Sequence, residues 1–467
     1  MKKVTLRILA IVAIFAFVLA ACAPATETPT EMPEATEEPM EETEEPMEET
    51  EEPMEETEEP MEETEEPMDG MAIDCMGAEE GAEISMLYQW SGAEEENLNQ
   101  ILQPFVEACG VTISPESTRD QALLDTRVQA GTPPDIAFWN VTQLQQYQDQ
   151  LFAMPDLGVA QDNYPQFWVD FGSVNGQWLG LPVKADPKTL IWYSPANFED
   201  AGYTVPESWD GLNELVEQMV SDDRIPWSMG FESGDATGWT GTDFIQDILL
   251  VQQGPDYVRG ILDGSIPYND EGVREAWEIY GDWASNPEYT PGGASGTVET
   301  GFNDAILLVF SDPPEAMMVK QSGFAGGTIT ETYPDLEYGT GYGFFGVPDA
   351  QGLQGGSDWM MAFSDSPAVQ ALVGYLSSDL GGQTWAEVGF DLTPNLAGRD
   401  NYPNQALTDR ADILYNADDF VPDIGDSIPG GFGSAEFTGV TDYVNGNREL
   451  GVILDELAQI QQEALSE

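Results

Sequence analysis

From Pro39 the heptapeptide Pro-Met-Glu-Glu-Thr-Glu-Glu runs four times without a break, to Glu66, and a fifth copy starts at Pro67 and Met68 before the pattern stops. A seven-residue period suggests a coiled coil, but each copy holds one apolar residue and one proline, and proline costs about 3 kcal/mol inside a helix. Like charges at this density, with no packable face, do not offset the entropy of ordering. Ala23 to about Gly77 is therefore predicted to be disordered and held extended by self-repulsion. At roughly 3.1 Å per residue for polyproline-like chain, such a spacer reaches on the order of 150 Å at most. A core can form only from Ala78 to Glu467, too long a stretch for one ordinary core, so two domains are expected.

Ahead of the repeat, Lys2, Lys3 and Arg7 precede an apolar run from Ile8 to Ala21 that ends in small residues. The run is shorter than the roughly 20 residues a bilayer span needs, and the pattern is that of a secretory signal. Leu19-Ala20-Ala21-Cys22 resembles the lipobox of bacterial lipoproteins. That resemblance implies cleavage after Ala21 and a diacylglyceryl thioether on Cys22. Residues 1–21 are thus expected to be a signal peptide and residues 22–77 a lipid-anchored acidic linker, with the protein on the extracytoplasmic face of the cell membrane.

Beyond residue 69 the chain still carries 64 of its 86 acids against 11 of its 14 bases. Such a surface repels nucleic acid, anionic lipid and phosphorylated ligands, and leaves neutral or cationic ones. There is no histidine, which excludes Ser-His-Asp and Cys-His catalysis and His-based zinc sites. Cys75 and Cys109 either form a disulfide that pins the linker end to the first helix or remain two buried thiols, and spacing alone does not choose.

The first hundred residues of the foldable part read as strand, helix, strand, helix, strand. Glu83 to Trp90 alternates, and Ser91-x-x-Glu94 forms a capping-box pattern. Leu98, Ile101, Leu102, Phe105 and Val106 follow at helical spacing, with Pro104 as a kink and Gly110 as the stop. Val111 to Ser114 is a second strand, Asp120 to Ala130 a second helix, and Asp135 to Trp139 a third strand. That order predicts an α/β fold with a parallel, doubly wound sheet whose ligands sit beyond the carboxyl ends of the strands. Further on, Trp359 to Phe363 reads as a strand, Ser366-Pro367 as a helix start with Gly381-Gly382 as its stop, and Leu450 to Ile460 as an amphipathic helix.

Several blocks together carry a family resemblance. The stretch from Gly180 to Phe198, continued through Glu199 to Leu212, resembles the signature of family-1 extracellular solute-binding proteins, the receptors of carbohydrate ABC importers. Gly131 to Ala137, Glu232 to Asp243, Gly301 to Ala305, Phe310 to Pro314, Gly355 to Asp365 and Asp426 to Ser434 match in order and spacing, and Glu232 to Asp243 is similar to alpha-glucoside-like members. Ser194, Trp192 and Phe437 depart from the usual pattern. The resemblance, over roughly residues 80 to 465, implies a two-lobed periplasmic-binding (type II, Venus-flytrap) fold, each lobe a doubly wound sheet. The chain would cross between lobes near Lys184 to Leu190, Gly355 to Phe363 and Leu392 to Arg399. Lobe one would be residues 78–186 plus 360–396, and lobe two residues 187–359 plus 397–467. It also implies a monomeric, non-enzymatic receptor without cofactor or metal, which hands a neutral sugar to membrane permease subunits and binds no nucleic acid.

A pyranose offers one apolar face and a fringe of hydroxyls, so its site needs aromatic platforms beside carboxylates, amides and a lysine. Trp90, Trp139, Trp239 and Trp359 are expected as platforms, with Asn140, Lys184, Asp186, Asp243 and Asp358 as hydroxyl partners. Trp139→Ala or Trp359→Ala is then expected to weaken binding by about 1–3 kcal/mol with folding intact. Trp209, Trp277 and Trp283 fall on helical patterns and read as packing. Alternatives are an anchored glycoside hydrolase using a carboxylate pair, a polyamine or other cation receptor on the same fold, and a calcium-bound adhesin using Asp418, Asp419, Asp423 and Asp426.

Overall fold

A computed structural model describes residues 72–118 and 120–466. The signal segment 1–21, the lipidation site Cys22 and the linker as far as residue 71 lie outside the described residues.

The chain enters lobe one through β1 (Glu83–Tyr88), α1 (Ala93–Cys109), β2 (Thr112–Ser117), α2 (Gln121–Gln129) and β3 (Ile136–Trp139). β1 lies between β2 and β3, parallel to both. Leu98, Ile101, Leu102 and Phe105 form the buried face of α1, which stops on Gly110 at φ 63°, a left-handed conformation that glycine adopts without steric cost. The capping box does not form. Gly92 is the N-cap, Glu95 is drawn to the Tyr88 hydroxyl at 2.6 Å, and Glu94 faces Lys184 across the site. Cys75 and Cys109 are joined by a disulfide. Ile73 and Cys75 pack against the lobe-one core, so ordered structure begins before the expected boundary at residue 78.

β4 (Gly180–Pro187) carries the chain out, and β5 (Leu190–Tyr193) opens lobe two. That lobe continues with α3 (Trp239–Gln252), β6 (Met318–Lys320), α4 (Ala325–Thr332) and β7 (Gly343–Gly346), and β5 pairs antiparallel with both β6 and β7. The expectation of a doubly wound sheet in each lobe therefore gives way here to a small antiparallel sheet among many helices. β8 (Leu353–Ala362) returns to lobe one, antiparallel to β3 and β4. α5 (Pro367–Ser377), α6 (Asp379–Val388), α7 (Gln405–Tyr415) and β9 (Phe420–Pro422) follow, then α8 (Phe432–Val444) and α9 (Leu450–Ala464).

Gly381 and Gly382 do not stop α5. They sit in the first turn of α6, where Ser378 Oγ accepts the Gly381 N–H at 3.1 Å and the Asn395 side chain occupies the space a Gly382 Cβ would need. The third crossing is also displaced. Ala411, Leu414 and Phe420 belong to the lobe-one core while Val421 and Ile424 belong to lobe two, so the chain crosses at residues 420–421 rather than at 392–399. The 392–399 loop is held in lobe one because Asn395 Nδ2 donates to the Ser377 and Ser378 carbonyls at 3.1 and 2.9 Å.

Candidate functional site

The two-stranded ribbon of β4 and β8 bridges the lobes, and its register sets the site. Lys184 lies opposite Asp358 and Asp186 opposite Gly356. Because strand side chains alternate, Lys184, Asp186, Gly356 and Asp358 share one face. Gly356 is exposed and a Cβ there would meet no atom within 4 Å, which makes this face an uncovered floor.

At the lobe-one end Lys184 Nζ stands 3.4 Å from Asp358, 3.9 Å from Glu94 and 3.9 Å from Asp391. Burial works to lower the pKa of this ammonium, but Asp391, Asp358, Asp186 and Glu94 outweigh it and hold it above the ordinary lysine value. Gln89 Nε2 donates to Asp358 at 3.0 Å and to Asn140 at 3.4 Å, and the Trp90 indole N–H donates to Asp358 at 3.3 Å. Asp186 Oδ1 accepts the Gly323 N–H of the opposing lobe at 3.2 Å. Burial, then the neighbouring Asp391 charge, pushes the Asp186 carboxyl up to about 6 against the pull of Arg410 and Lys184.

At the lobe-two end, just past β4, Lys188 Nζ lies 2.9 Å from Asp423, 3.1 Å from Asp243 and 3.8 Å from the exposed Asp426. Burial pushes the Asp243 carboxyl well above the usual range although Lys188 and Lys320 pull it down. Burial acts on Asp423 in the same sense, but Lys188 and the Asp426 N–H at 3.0 Å outweigh it and keep this carboxyl ionised. Trp239, half-buried at the start of α3, has Lys188 Nζ 5.6 Å from its ring centre. Phe302 and Phe324 complete an aromatic corner with centroids 5.5 and 6.4 Å from Trp239, and Phe324 is 38% exposed.

The structure thus brings Asn140, Lys184, Asp186, Asp358 and Trp239 to the cleft and adds Gln89, Glu94, Lys188, Asp391, Asp426, Phe302 and Phe324. Trp359 is corrected to a core residue. It is 0% exposed and packs on Trp168 and Phe171 at 5.7 and 5.1 Å. Alternation decides this, since Asp358 faces the cleft and its neighbour must face the other way. Trp139 is opposite Trp359 in register, shares that inner side, and leaves the rim to Asn140. Trp90 offers its N–H and not a ring face, because Phe138 and Phe390 cover the ring at 5.1 and 5.0 Å. Asp243 is buried and committed to Lys188. The signal for Lys188 was present in the sequence, since Lys184, Asp186 and Lys188 fall at the period of one strand face.

Two lobes joined by three crossings, with a polar floor between them, define the architecture of a two-lobed ligand receptor. Residues 91–383 match the family described as bacterial extracellular solute-binding protein, and the chain belongs to that family. The alpha-glucosides-binding periplasmic protein AglE of Rhizobium meliloti is 32% identical over 398 residues, 80% of this chain and 86% of that one. The osmoprotective compounds-binding protein GgtB of Synechocystis sp. is 30% identical over 384 residues, 79% and 90% of the two chains. Among solved structures, the apo form of RafE from Streptococcus pneumoniae superposes with a TM-score of 0.66 at 17% identity, covering 83% of this chain and 99% of that one.

Proposed function

We propose that this chain captures an uncharged sugar or short oligosaccharide on the β4–β8 floor and delivers it to an ABC permease, held at the extracytoplasmic face of the membrane by a lipid on Cys22. The observation that carries the reading is the shared face of Lys184, Asp186, Gly356 and Asp358, an uncovered strip where an ammonium and carboxylates stand ready to donate to and accept from hydroxyls, with Trp239, Phe302 and Phe324 beside it. AglE is named for binding alpha-glucosides and GgtB for binding osmoprotective compounds, and the first of these supports a glucoside as ligand.

Beyond the signal segment the chain has three lysines, Lys184, Lys188 and Lys320, and all three sit at this cleft or directly behind it. A receptor for polyamines would keep cations out of its own site, so their concentration here favours a neutral ligand. The family match gives hydrolysis no support. Binding follows from closure: the ligand meets one lobe first, and contacts made only with both lobes stabilise the closed form. Titration calorimetry of the full chain with glucose, maltose, sucrose, trehalose and spermidine tests this. Binding of an alpha-glucoside and none of spermidine is expected, and spermidine binding without any sugar response would overturn the proposal.

A further inference from the structure

The first described residues run along a groove of about 490 Å³ on lobe one, within the range of roughly 300–1,000 Å³ usual for pockets that hold a ligand. Ala72, Ile73 and Met76 form one wall, and Gly374 and Tyr375 of α5 with Leu380 of α6 form the other. Ile73, Tyr375 and Leu380 also pack into the lobe-one core, so both walls belong to that lobe. The wall nearer the linker is held in place by the Cys75–Cys109 disulfide and by Met76, whose Cε reaches to 3.5 Å from where a Gly158 Cβ would stand. Met76 is nevertheless 42% exposed, on the rim of the groove.

The polar groups of the lining already have partners. The Tyr375 hydroxyl donates to the Ile101 carbonyl at 2.7 Å and the Ser378 hydroxyl to the Tyr375 carbonyl at 2.7 Å. Asp379 accepts from the Asn163 amide at 2.9 Å, and Asp74 accepts the Met76 N–H at 2.9 Å. A polar ligand would have to compete for these groups, whereas an apolar side chain gains simply by leaving water. The sequence supplies such side chains at the right place. Each repeat copy up to Glu66 has four acids in seven residues, but residues 67–73 have one, Asp69, together with Met68, Met71 and Ile73. Charge thus falls away where the chain reaches the groove. Met71 is bonded directly to the wall residue Ala72, and Met68 lies three residues further back, about 10 Å of extended chain. The flexible thioether of methionine fills irregular gaps well.

We propose that this groove is the docking site of the chain's own Met68 and Met71, which clip the end of the acidic linker onto lobe one. A pull on the linker is then borne by lobe one alone, and lobe two is free to move. Methionine oxidation tests the clip, because Met40, Met47, Met54 and Met61 of the repeat serve as unprotected references within the same molecule. The full chain is treated with dilute hydrogen peroxide and followed by peptide mass spectrometry. Met68 and Met71 are expected to oxidise at least about fivefold more slowly than the repeat methionines, the scale set by burying part of an apolar side chain, at a ratio independent of protein concentration. Gly374→Phe fills the groove: Gly374 is half-buried, and a Cβ there meets nothing nearer than the Gly158 carbonyl at 3.9 Å. Leu380→Gln is a second variant that makes the wall polar without adding bulk, and thermal unfolding checks that each is folded. In either folded variant Met68 and Met71 should oxidise at the reference rate. Oxidation of both at the reference rate in the wild type overturns the proposal, as does protection that survives in the folded variants. Protection that fades on dilution also overturns it, and assigns the groove to a second copy of the chain.

Discussion

Lys184 and Lys188 lie four residues apart, about 13 Å along one strand direction, and the same side chain does different work at the two ends. Lys188 is clamped at 2.9 and 3.1 Å by two carboxylates that are almost fully buried, and it ties the end of the first crossing strand, β4, to α3 and to the loop after β9. Lys184 meets its three carboxylates at 3.4–3.9 Å, and Glu94 among them is well exposed. Tight, dry pairing at the lobe-two end fixes that end of the crossing. Loose, wetter pairing at the lobe-one end leaves donors and acceptors free for exchange with ligand hydroxyls, at little cost in broken pairs.

The largest effect expected from this contrast is on stability. Lys188→Ala leaves Asp423 buried without its ammonium partner and Asp243 with only Lys320, 4.0 Å away, and should cost about 3–5 kcal/mol, read from urea unfolding at neutral pH. A loss under about 1 kcal/mol would show that the clamp is solvent-linked and erase the difference between the two ends. Trp359→Ala should be nearly as severe, about 3–5 kcal/mol, because it opens a cavity against Trp168 and Phe171. This reverses the expectation that the ring is a platform; the check is a variant with lowered unfolding midpoint whose folded fraction binds sugar normally.

Legibility in the sequence followed the length scale of each signal. Helical periods, the β1–β3 order and the block pattern made the two-lobed fold readable. The disulfide, the crossing at residues 420–421 and the antiparallel lobe-two sheet depend on contacts between distant segments and were not. At the site, each strand-end block presented a tryptophan beside a polar residue, Trp139 with Asn140 and Trp359 with Asp358. Only one of two neighbours on a strand can face the cleft, and in both blocks packing took the indole and left the polar group. Reading face by face, with Lys184, Asp186 and Lys188 as the ruler, would have found the floor and predicted the buried rings. Phe324 and Asp391 have no such ruler, since both arrive on loops from elsewhere in the chain.

At the lobe-one end the effect should fall on binding instead. Lys184→Ala removes a charged donor, worth about 1.5–3 kcal/mol per hydrogen bond, and should weaken sugar affinity by roughly tenfold to a hundredfold. Only Glu94 among its partners is well exposed while Asp358 and Asp391 are largely buried, so the unfolding free energy should also fall, but by less than in Lys188→Ala, because the lobe-one contacts are longer. Calorimetric titration paired with thermal unfolding separates the two readouts. A variant that loses stability as Lys188→Ala does, with affinity preserved, would mean that Lys184 is a second clamp.

The mildest expected effect concerns pH and separates Asp186 from the clamped carboxylates. Its pKa is raised to about 6 in the folded protein from an ordinary value near 4. Between those values the native state holds a proton that the unfolded chain has released, so this group's contribution to stability is present in full below about pH 4 and declines as pH rises through about 6. Asp423 runs the opposite way: held below the ordinary range by Lys188, it contributes stability above its unfolded pKa and loses it as pH falls through the lower folded one. Asp186→Asn should therefore flatten the fall in unfolding temperature between pH 4 and pH 6.5 while leaving the acid limb near pH 3 in place, because the amide cannot ionise and still accepts the Gly323 N–H. An unchanged slope across that window would mean that Asp391 and Arg410, not Asp186, carry the proton balance of the floor.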